Sequence, residues 1–381
     1  MSSPPKNHHR IAPHLEGFPY RTDGLEGTGG HVGAAPEDFL VEEIPAYEPA
    51  GEGEHCFVQI EKRGISTFVA TRRLAEALSV GPRSVGHAGL KDTQAVARQW
   101  LSVTGARPQQ IDGLDLPDIT ILRTGLHRNK LRVGHLAGNR FAIVVRQARE
   151  GAPAKALKIL ERLSIDGMPN IYGPQRFGKE GRNVIKGLEV ISGASKIRDR
   201  NRLRFMISAV QSEMFNAYVR RRMETGTIDR VLPGDILRRG RSFFPAEDAQ
   251  VEQQRVDGGE VSPTGPMFGP RTPAPPTSTE PRRIEDEVLA AYGLSREDLA
   301  LFGRKGRGGR RDVLVRPGQV SIGPGGGEGE GSGDGKSGDG ESGDGRGETL
   351  ELRFALPPGS YATVLLREVL KVGFGQLRPL R

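Results

Sequence analysis

The sequence predicts a mixed α/β protein built from two domains. Three observations carry that expectation: a chain of 381 residues, too long for one small module; segments whose apolar residues recur at every second position; and others whose apolar residues recur at helical spacing. Residues 1–34 are rich in Pro, His and Gly and lack hydrophobic periodicity, so they are expected to be loose, with folding starting near Ala35. Cys56, Val58 and Ile60 then alternate with polar or opposite-face neighbours, as in a strand. A helix follows at once, with Ser66 as its cap, Phe68, Leu74, Ala75 and Leu78 at helical spacing, and Gly81-Pro82 as its stop. The run KLRVGHLAGNRFAIVVRQ reads as two strands joined by a turn at Ala137, Gly138 and Asn139.

A second stretch begins near Ile165. Its clearest feature is an amphipathic helix expected over residues 207–223, with Val210, Met214, Ala217 and Arg221 on one face. Bases crowd this region, with Arg198, Arg200, Arg202 and Arg204 before the helix and Arg220, Arg221 and Arg222 at its end. Residues 263–283, dense in Pro, Thr and Arg, read as loop, and a short helix is expected over 284–292, ended by Gly293. Residues 323–347 contain no large apolar side chain and cannot offset their ordering entropy by burial, so this stretch is expected to be a disordered linker. The run LELRFALPPGSYATVLLREVLK then gives a strand, a turn and a short helix. A strand this apolar has to dock on a sheet formed elsewhere in the chain.

The formal charge is +8, from 55 Lys and Arg against 47 Asp and Glu. The linker holds six acids and two bases, which leaves +12 for the remainder and favours an anionic partner. Cys56 is the sole cysteine, so no intramolecular disulfide or cysteine-zinc cluster is available, and a reducing cytoplasm fits. No apolar run approaches the roughly eighteen residues of a membrane span. The eight histidines show no metal-ligand spacing, and no Ser-centred nucleophile elbow occurs, so no metal site is expected.

The stretch richest in chemistry is VGHAGLKDTQAVARQWLSV. Gly89 permits a tight backbone path, and Asp92 projects from a loop between two apolar flanks, ionised at neutral pH by its reference pKa of about 3.9. A carboxylate held in this way can serve as nucleophile or base, although Lys-Asp in a turn is also ordinary solvated surface. The segment HRNKLRVGH places Arg128, Lys130 and Arg132 where they could meet phosphates or simply face solvent.

Eight segments taken in order resemble the TruD family of tRNA pseudouridine synthases: PEDFLVEE, GEGEHCFVQIEKRGIST, HAGLKDTQAVARQW, HRNKLRVGHLAGNRFAIVVR, MPNIYGPQRFGKEGRNV, SAVQSEMFNAYVRRR, LPGDIL and LPPGSYATVLLREVL. They span most of the chain from Pro36 to Lys371. The resemblance implies a V-shaped, two-domain protein whose catalytic domain, with a mixed, mainly antiparallel sheet, is formed by residues 35–165 and 350–381. Between them would lie a family-specific α/β insertion over 166–315 and a linker over 316–349.

Residue by residue, the resemblance puts Asp92 at the catalytic aspartate, and Asn139, Phe141, Phe39 and Tyr361 around the target uridine. Core packing is the alternative for the three aromatic residues, and a positive-φ turn position for Asn139. The implied reaction needs no cofactor or metal. Asp92 would either attack a carbon covalently or remove a ribose proton, and the target would be uridine 13 of tRNA, reached by base flipping. The expected partner is tRNA, bound by a monomer with no obligate protein partner and no membrane. Arg128, Lys130, Arg132, Arg220 and Arg222 are the candidate RNA contacts. One departure stands out: three residues before Pro36, where many family members carry a lysine near the aspartate, this chain has Gly33, leaving Arg83, Lys91 or Arg176 to substitute. A non-catalytic RNA-binding protein on the same fold, and a synthase with other RNA targets, remain open alternatives.

Overall fold

The structure, a computed structural model, describes residues 15–325 and 347–377. The first part of the chain supplies β1 (His31–Val32), β2 (Phe39–Pro45), β3 (His55–Arg63), α1 (Thr67–Ala77), β4 (Val85–His87), β5 (Val96–Thr104), the one-turn α2 (Pro108–Ile111), β6 (Ile119–His127) and β7 (Leu136–Ala148). Alternation builds β3: Cys56, Val58 and Ile60 are buried on one face, under α1. Ser66 caps α1 by accepting from the Val69 amide at 3.2 Å. Phe68, expected on the buried face of that helix, instead stands in solvent, 65% exposed.

The segment from Leu136 runs as one strand straight through Gly138 and Asn139, so the turn expected there is absent. The chain reverses earlier, over residues 128–135, and Asn139 has no positive φ. Composition misplaced the turn because Gly138 serves close approach rather than reversal: a Cβ there would fall 2.6 Å from the Leu356 carbonyl oxygen.

The middle of the chain gives α3 (Ala152–Asp166), β8 (Met168–Pro169), α4 (Arg182–Ile191), α5 (Arg200–Glu224), β9 (Ile236–Arg239), β10 (Ser242–Pro245), α6 (Ala249–Asp257), β11 (Ser262–Met267), α7 (Glu280–Ala291), β12 (Gly309–Asp312) and β13 (Leu314–Val315). β8 pairs with β13, so the chain enters and leaves this region at one point. β11 lies inside the stretch expected to be loop, where two prolines conceal a strand that pairs with β9 and β12 in a four-stranded sheet.

The helix expected over 207–223 is a 25-residue helix, and it is buried on more than one face. Gln211, Glu213, Asn216 and Arg222 are all buried, because other elements pack around α5 on several sides. Arg222, a candidate RNA contact, is only 1% exposed. Its guanidinium donates to both Asp235 oxygens at 2.8 and 3.1 Å, to the Tyr218 hydroxyl at 2.9 Å and to the Arg230 carbonyl at 2.7 Å. Arg220 donates to the Glu16 and Gly17 carbonyls and to Glu224, fastening the start of the described chain to α5. Burial removes Arg222 from the candidate RNA contacts, whereas Arg220 is partly exposed and ties the chain while still reaching the surface.

The chain returns through β14 (Gly318–Pro324), β15 (Glu348–Leu356) and α8 (Ala362–Leu370). The large sheet runs β14-β15-β7-β2-β5-β3-β6, with β1 added on β7 and β4 on β5. Only the β2–β5 pair is parallel in it. The apolar strand of the C-terminal region docks on β7, as its composition required. The Glu348 carboxylate of β15 also caps α3, accepting from the Gly151 and Ala152 amides at 3.0 and 2.9 Å.

Residues 15–34, expected to be loose, are packed. Leu15 and Phe18 join the main core, Thr22 donates to Glu368 at 2.7 Å, and Thr28 accepts from Arg149 and donates to Val369 through the backbone. Sparse apolar residues hid this segment, since it is held by hydrogen bonds to α8 more than by periodic burial. Residues 318–324, counted with the linker, form edge strand β14, while residues 326–346 of the expected disordered stretch lie outside the described residues.

Two outcomes follow for stability. Because β14 and β15 are already antiparallel neighbours, with Pro324 opposite Leu350, replacing residues 326–346 by a two-residue turn should leave the thermal midpoint within about 2 °C of wild type. Arg222→Ala should destabilise the fold by about 3–5 kcal/mol, read in a urea titration, because it strands Asp235 without its partner in the interior.

Candidate active site

β4 runs antiparallel to β5, and residues 88–95 connect them past the end of β3. Four hydrogen bonds pin this connection. The Lys91 amide donates to Thr67 Oγ1 at 3.0 Å, Gly64 N to Ala95 O at 3.3 Å, Gly134 N to Ala88 O at 2.8 Å, and Lys62 Nζ to Asp92 O at 2.7 Å. Asp92 is therefore carried on a rigid path although it lies in no regular element.

Asp92 lines a cavity of about 470 Å³. Phe39, Asn139, Phe141 and Tyr361 line the same cavity, so the five central site residues expected from the sequence converge although they come from four separated segments. Phe39 meets Phe141 edge-on with ring centroids 6.0 Å apart, and Phe141 stacks on Phe354 at 5.2 Å. Phe39 and Phe141 are each buried on one side and wall the cavity on the other. Tyr361 precedes α8 and meets Tyr172 edge-on at 5.7 Å. Tyr172 is held in turn through its main chain, which both donates to and accepts from the Asn216 amide at 2.9 Å. Burial, only partly offset by Arg176, raises the Tyr361 phenol, so it stays protonated and able to donate at neutral pH.

Two buried polar atoms of lining residues have no hydrogen-bond partner among the described residues, Asn139 Oδ1 and Thr363 Oγ1. Buried polar atoms are normally satisfied, so these are the atoms that a bound polar ligand would complete. Among the described residues, no group of three His, Cys, Asp or Glu side chains is arranged to hold a metal ion.

Burial raises the Asp92 carboxyl above the usual aspartate range, while Lys62 and then Lys91 pull it back down. Lys62 is 0% exposed and donates to two carbonyls, Ile65 O at 2.6 Å and Asp92 O at 2.7 Å. Burial, with help from Lys91, pushes the Lys62 ammonium down to about 8 against the pull of Asp92. None of the three residues considered as substitutes at Gly33 is free for Asp92 in the same way. Lys91 pairs with Glu43 at 2.9 Å, Arg176 donates to Ser208 and Ser212, and Arg83 is solvent-exposed. Gly33 itself faces Asp38, whose carboxylate would lie 2.1 Å from a Cβ at that position. Lys62 was legible: it continues the parity of Cys56, Val58 and Ile60, which puts a lysine on the buried face of a strand.

A larger cleft of about 1470 Å³ lies elsewhere, along β13 and α6. Its Asp166, Asp229 and Asp312 are ion-paired to Arg162, Arg21 and Arg238, and its Asp257 accepts from the Gln253 amide at 3.0 Å. The loop 128–135 borders the Asp92 cavity through Val133 and Gly134. Arg128 on it pairs with Glu52, and Lys130 donates to the Arg83 carbonyl. Arg132 is exposed and has no ion-pair partner among the described residues.

The sequence model of the tRNA pseudouridine synthase D (TruD) family matches residues 16–196 and 182–369. The chain belongs to the TruD family. Its similarity to individual TruD proteins is spread over nearly the whole length. It is 40% identical over 362 residues to a tRNA pseudouridine synthase D of Thermus thermophilus, covering 94% of this chain and 93% of the relative. It is 39% identical over 363 residues to the protein of that name from an Anaeromyxobacter species, covering 93% and 96%. Superposition on a crystal structure of a Methanosarcina mazei protein assigned to TruD gives a TM-score of 0.73 at 25% identity, over 96% of this chain and 99% of the other. The mixed, largely antiparallel sheet is thus the TruD fold.

The electrostatics yield a directional outcome. The ionised carboxylate is the form that Lys62 favours, so in Lys62→Met the Asp92 titration midpoint should move to higher pH, with charge lost at a pH where wild type keeps it. Lys62→Arg should stay closer to wild type. Carboxyl-carbon NMR of Asp92 checks this directly, and an unmoved midpoint in Lys62→Met would place the cation's influence elsewhere.

Proposed function

We propose that this protein converts uridine to pseudouridine in tRNA, at position 13 in the D-arm, with Asp92 as the catalytic carboxylate. The observation that carries the reading is the convergence of Asp92, Phe39, Asn139, Phe141 and Tyr361 on one cavity. Family membership supports the reaction, and the sequence resemblance supports the position. The residues on either side of the inserted region, 35–165 and 350–381, supply these five, which supports treating them as one catalytic unit and 166–315 as an insertion.

The chemistry suits such a cavity. The N1–C1′ bond of the uridine breaks, the detached uracil turns, C5 bonds to C1′, and the C5 proton is finally lost while N1 gains one. Atoms balance without oxidant or cofactor. A uracil that must turn cannot be held by many fixed bonds, and aromatic walls with one or two polar atoms hold it loosely. Asn139 Oδ1 has a free lone pair for a uracil N–H, and the Tyr361 hydroxyl is a donor for a carbonyl or ribose oxygen. Asp92 either attacks a carbon or takes a ribose proton, and both routes begin from its ionised form. A uridine within a tRNA helix reaches this depth only by leaving its stack, so base flipping is the access step.

Asp92→Asn preserves size and removes both routes. It should lower pseudouridine formation by about a thousandfold or more, measured as tritium release from C5-labelled uridine in tRNA, while tRNA affinity stays within about threefold. Turnover within about tenfold of wild type would remove Asp92 from the catalytic role. Mapping the product in tRNA from cells with and without the gene tests the position.

A further inference from the structure

Large apolar side chains that stand in solvent are commonplace when scattered, and informative when they ring a functional cavity. Leu90 is 58% exposed and Val133 is 75% exposed, and both line the mouth of the Asp92 cavity. Phe68, 65% exposed, does not line the cavity but stands next to the connection that does: its ring meets His87 edge-on at 6.3 Å, and the neighbouring Thr67 accepts from the Lys91 amide. These side chains are not on floppy loops. Leu90 lies on the pinned connection 88–95. Val133 is flanked by Leu131, buried and donating through its amide to Ser102 Oγ at 3.0 Å, and by Gly134, bonded to Ala88 O.

The two loops that carry Leu90 and Val133 are therefore bolted together at the mouth of the cavity that holds the carboxylate. Such a pair of rigid, solvent-facing aliphatic side chains is costly to leave wet, and its position in the cavity mouth says what covers it. Whatever delivers a uridine to Asp92 brings its flanking nucleotides against Leu90 and Val133. Arg132, exposed between Leu131 and Val133, stands ready for the backbone phosphate of the same strand. Aliphatic and aromatic wedges of this kind meet base faces without needing hydrogen bonds.

We propose that Leu90 and Val133, flanked by Phe68, form a base-docking rim that caps the nucleotides next to the target uridine and holds open the gap from which it has left. The inference rests on the reading of the Asp92 cavity as the uridine pocket. In this role the rim stabilises the flipped state more than the stacked one, so its loss lowers kcat/KM even where phosphate contacts keep the RNA bound.

The test is a cycle between protein and RNA. The variant Leu90→Ser/Val133→Ser is compared with wild type on intact tRNA and on the same tRNA made abasic on both sides of the target. On intact tRNA the variant should lose about tenfold or more in kcat/KM, with the salt dependence of binding unchanged. On the abasic tRNA the two proteins should be equally fast, since the rim has nothing to dock. Leu301→Ser, which removes a side chain 54% exposed and outside the cavity, serves as the control and should match wild type on both. Equal rates on intact tRNA would overturn the proposal and leave the rim to a protein partner. An equal loss on both RNAs would overturn it too, by showing that the side chains act on something other than flanking bases. Failure of the underlying reading looks different: Asp92→Asn would remain active, whereas failure of the rim alone leaves Asp92→Asn inactive and the double variant like wild type.

Discussion

Everything at the site depends on the register of one long strand. β7 is paired on one side with β2 and on the other with β15, so Asn139 lies between Glu43 and Leu356, and Phe141 between Val41 and Phe354. Side chains in a strand alternate faces, so a slip of one residue would turn Asn139 and Phe141 away from the cavity together. The buried rows of apolar neighbours make that slip costly. The same ladder carries Phe39 in by the antiparallel β2–β7 pairing, opposite Ile143, and leads from β15 to Tyr361, which is how distant segments reach one cavity.

The polar side of the site follows a second constraint. Lys62, Lys91, Glu43 and Asp92 are all wholly or largely withdrawn from water around one short connection, and charges withdrawn in that way persist only when paired or bonded. Lys91 is matched by Glu43, and Lys62 is satisfied by two main-chain carbonyls while its charge acts on Asp92. Asp92 is thus left in a cationic field with no ion-pair partner bonded to its carboxylate oxygens among the described residues, which is the condition in which a carboxylate is reactive. Arg222 and Asp235 show the opposite outcome, a pair tied wholly into the structure.

The legible and illegible parts of this chain divide along physical lines. Local patterns reported themselves: the alternation in β3, the Ser66 cap, and the apolar strand and helix near the C-terminus all appear where periodicity put them. That Asp92, Phe39, Asn139, Phe141 and Tyr361 meet at one cavity was legible only through motifs, since no periodicity distinguishes Asp92 from a surface aspartate. What escaped was decided by long-range contact. Residues 15–34 are ordered by α8, the prolines of β11 are accommodated through its ladders, and Arg222 reads as a surface base until Asp235 is brought to it. Phe68 erred in the other direction, because helical spacing assigned it to a core that the fold does not extend that far.

The pairing of β7 with β15 also sets a timetable. The two strands are separated by roughly 200 residues, and β7 leaves the ribosome long before its partner exists. At about 5–20 residues per second, one edge of the central sheet waits some 10–40 seconds for the strand that covers it. During that interval the nascent chain has its aspartate but neither Tyr361 nor a closed cavity. Until β15 and α8 are made, the exposed edge of β7 is the point at which a chaperone, or another unfinished copy, will find the chain.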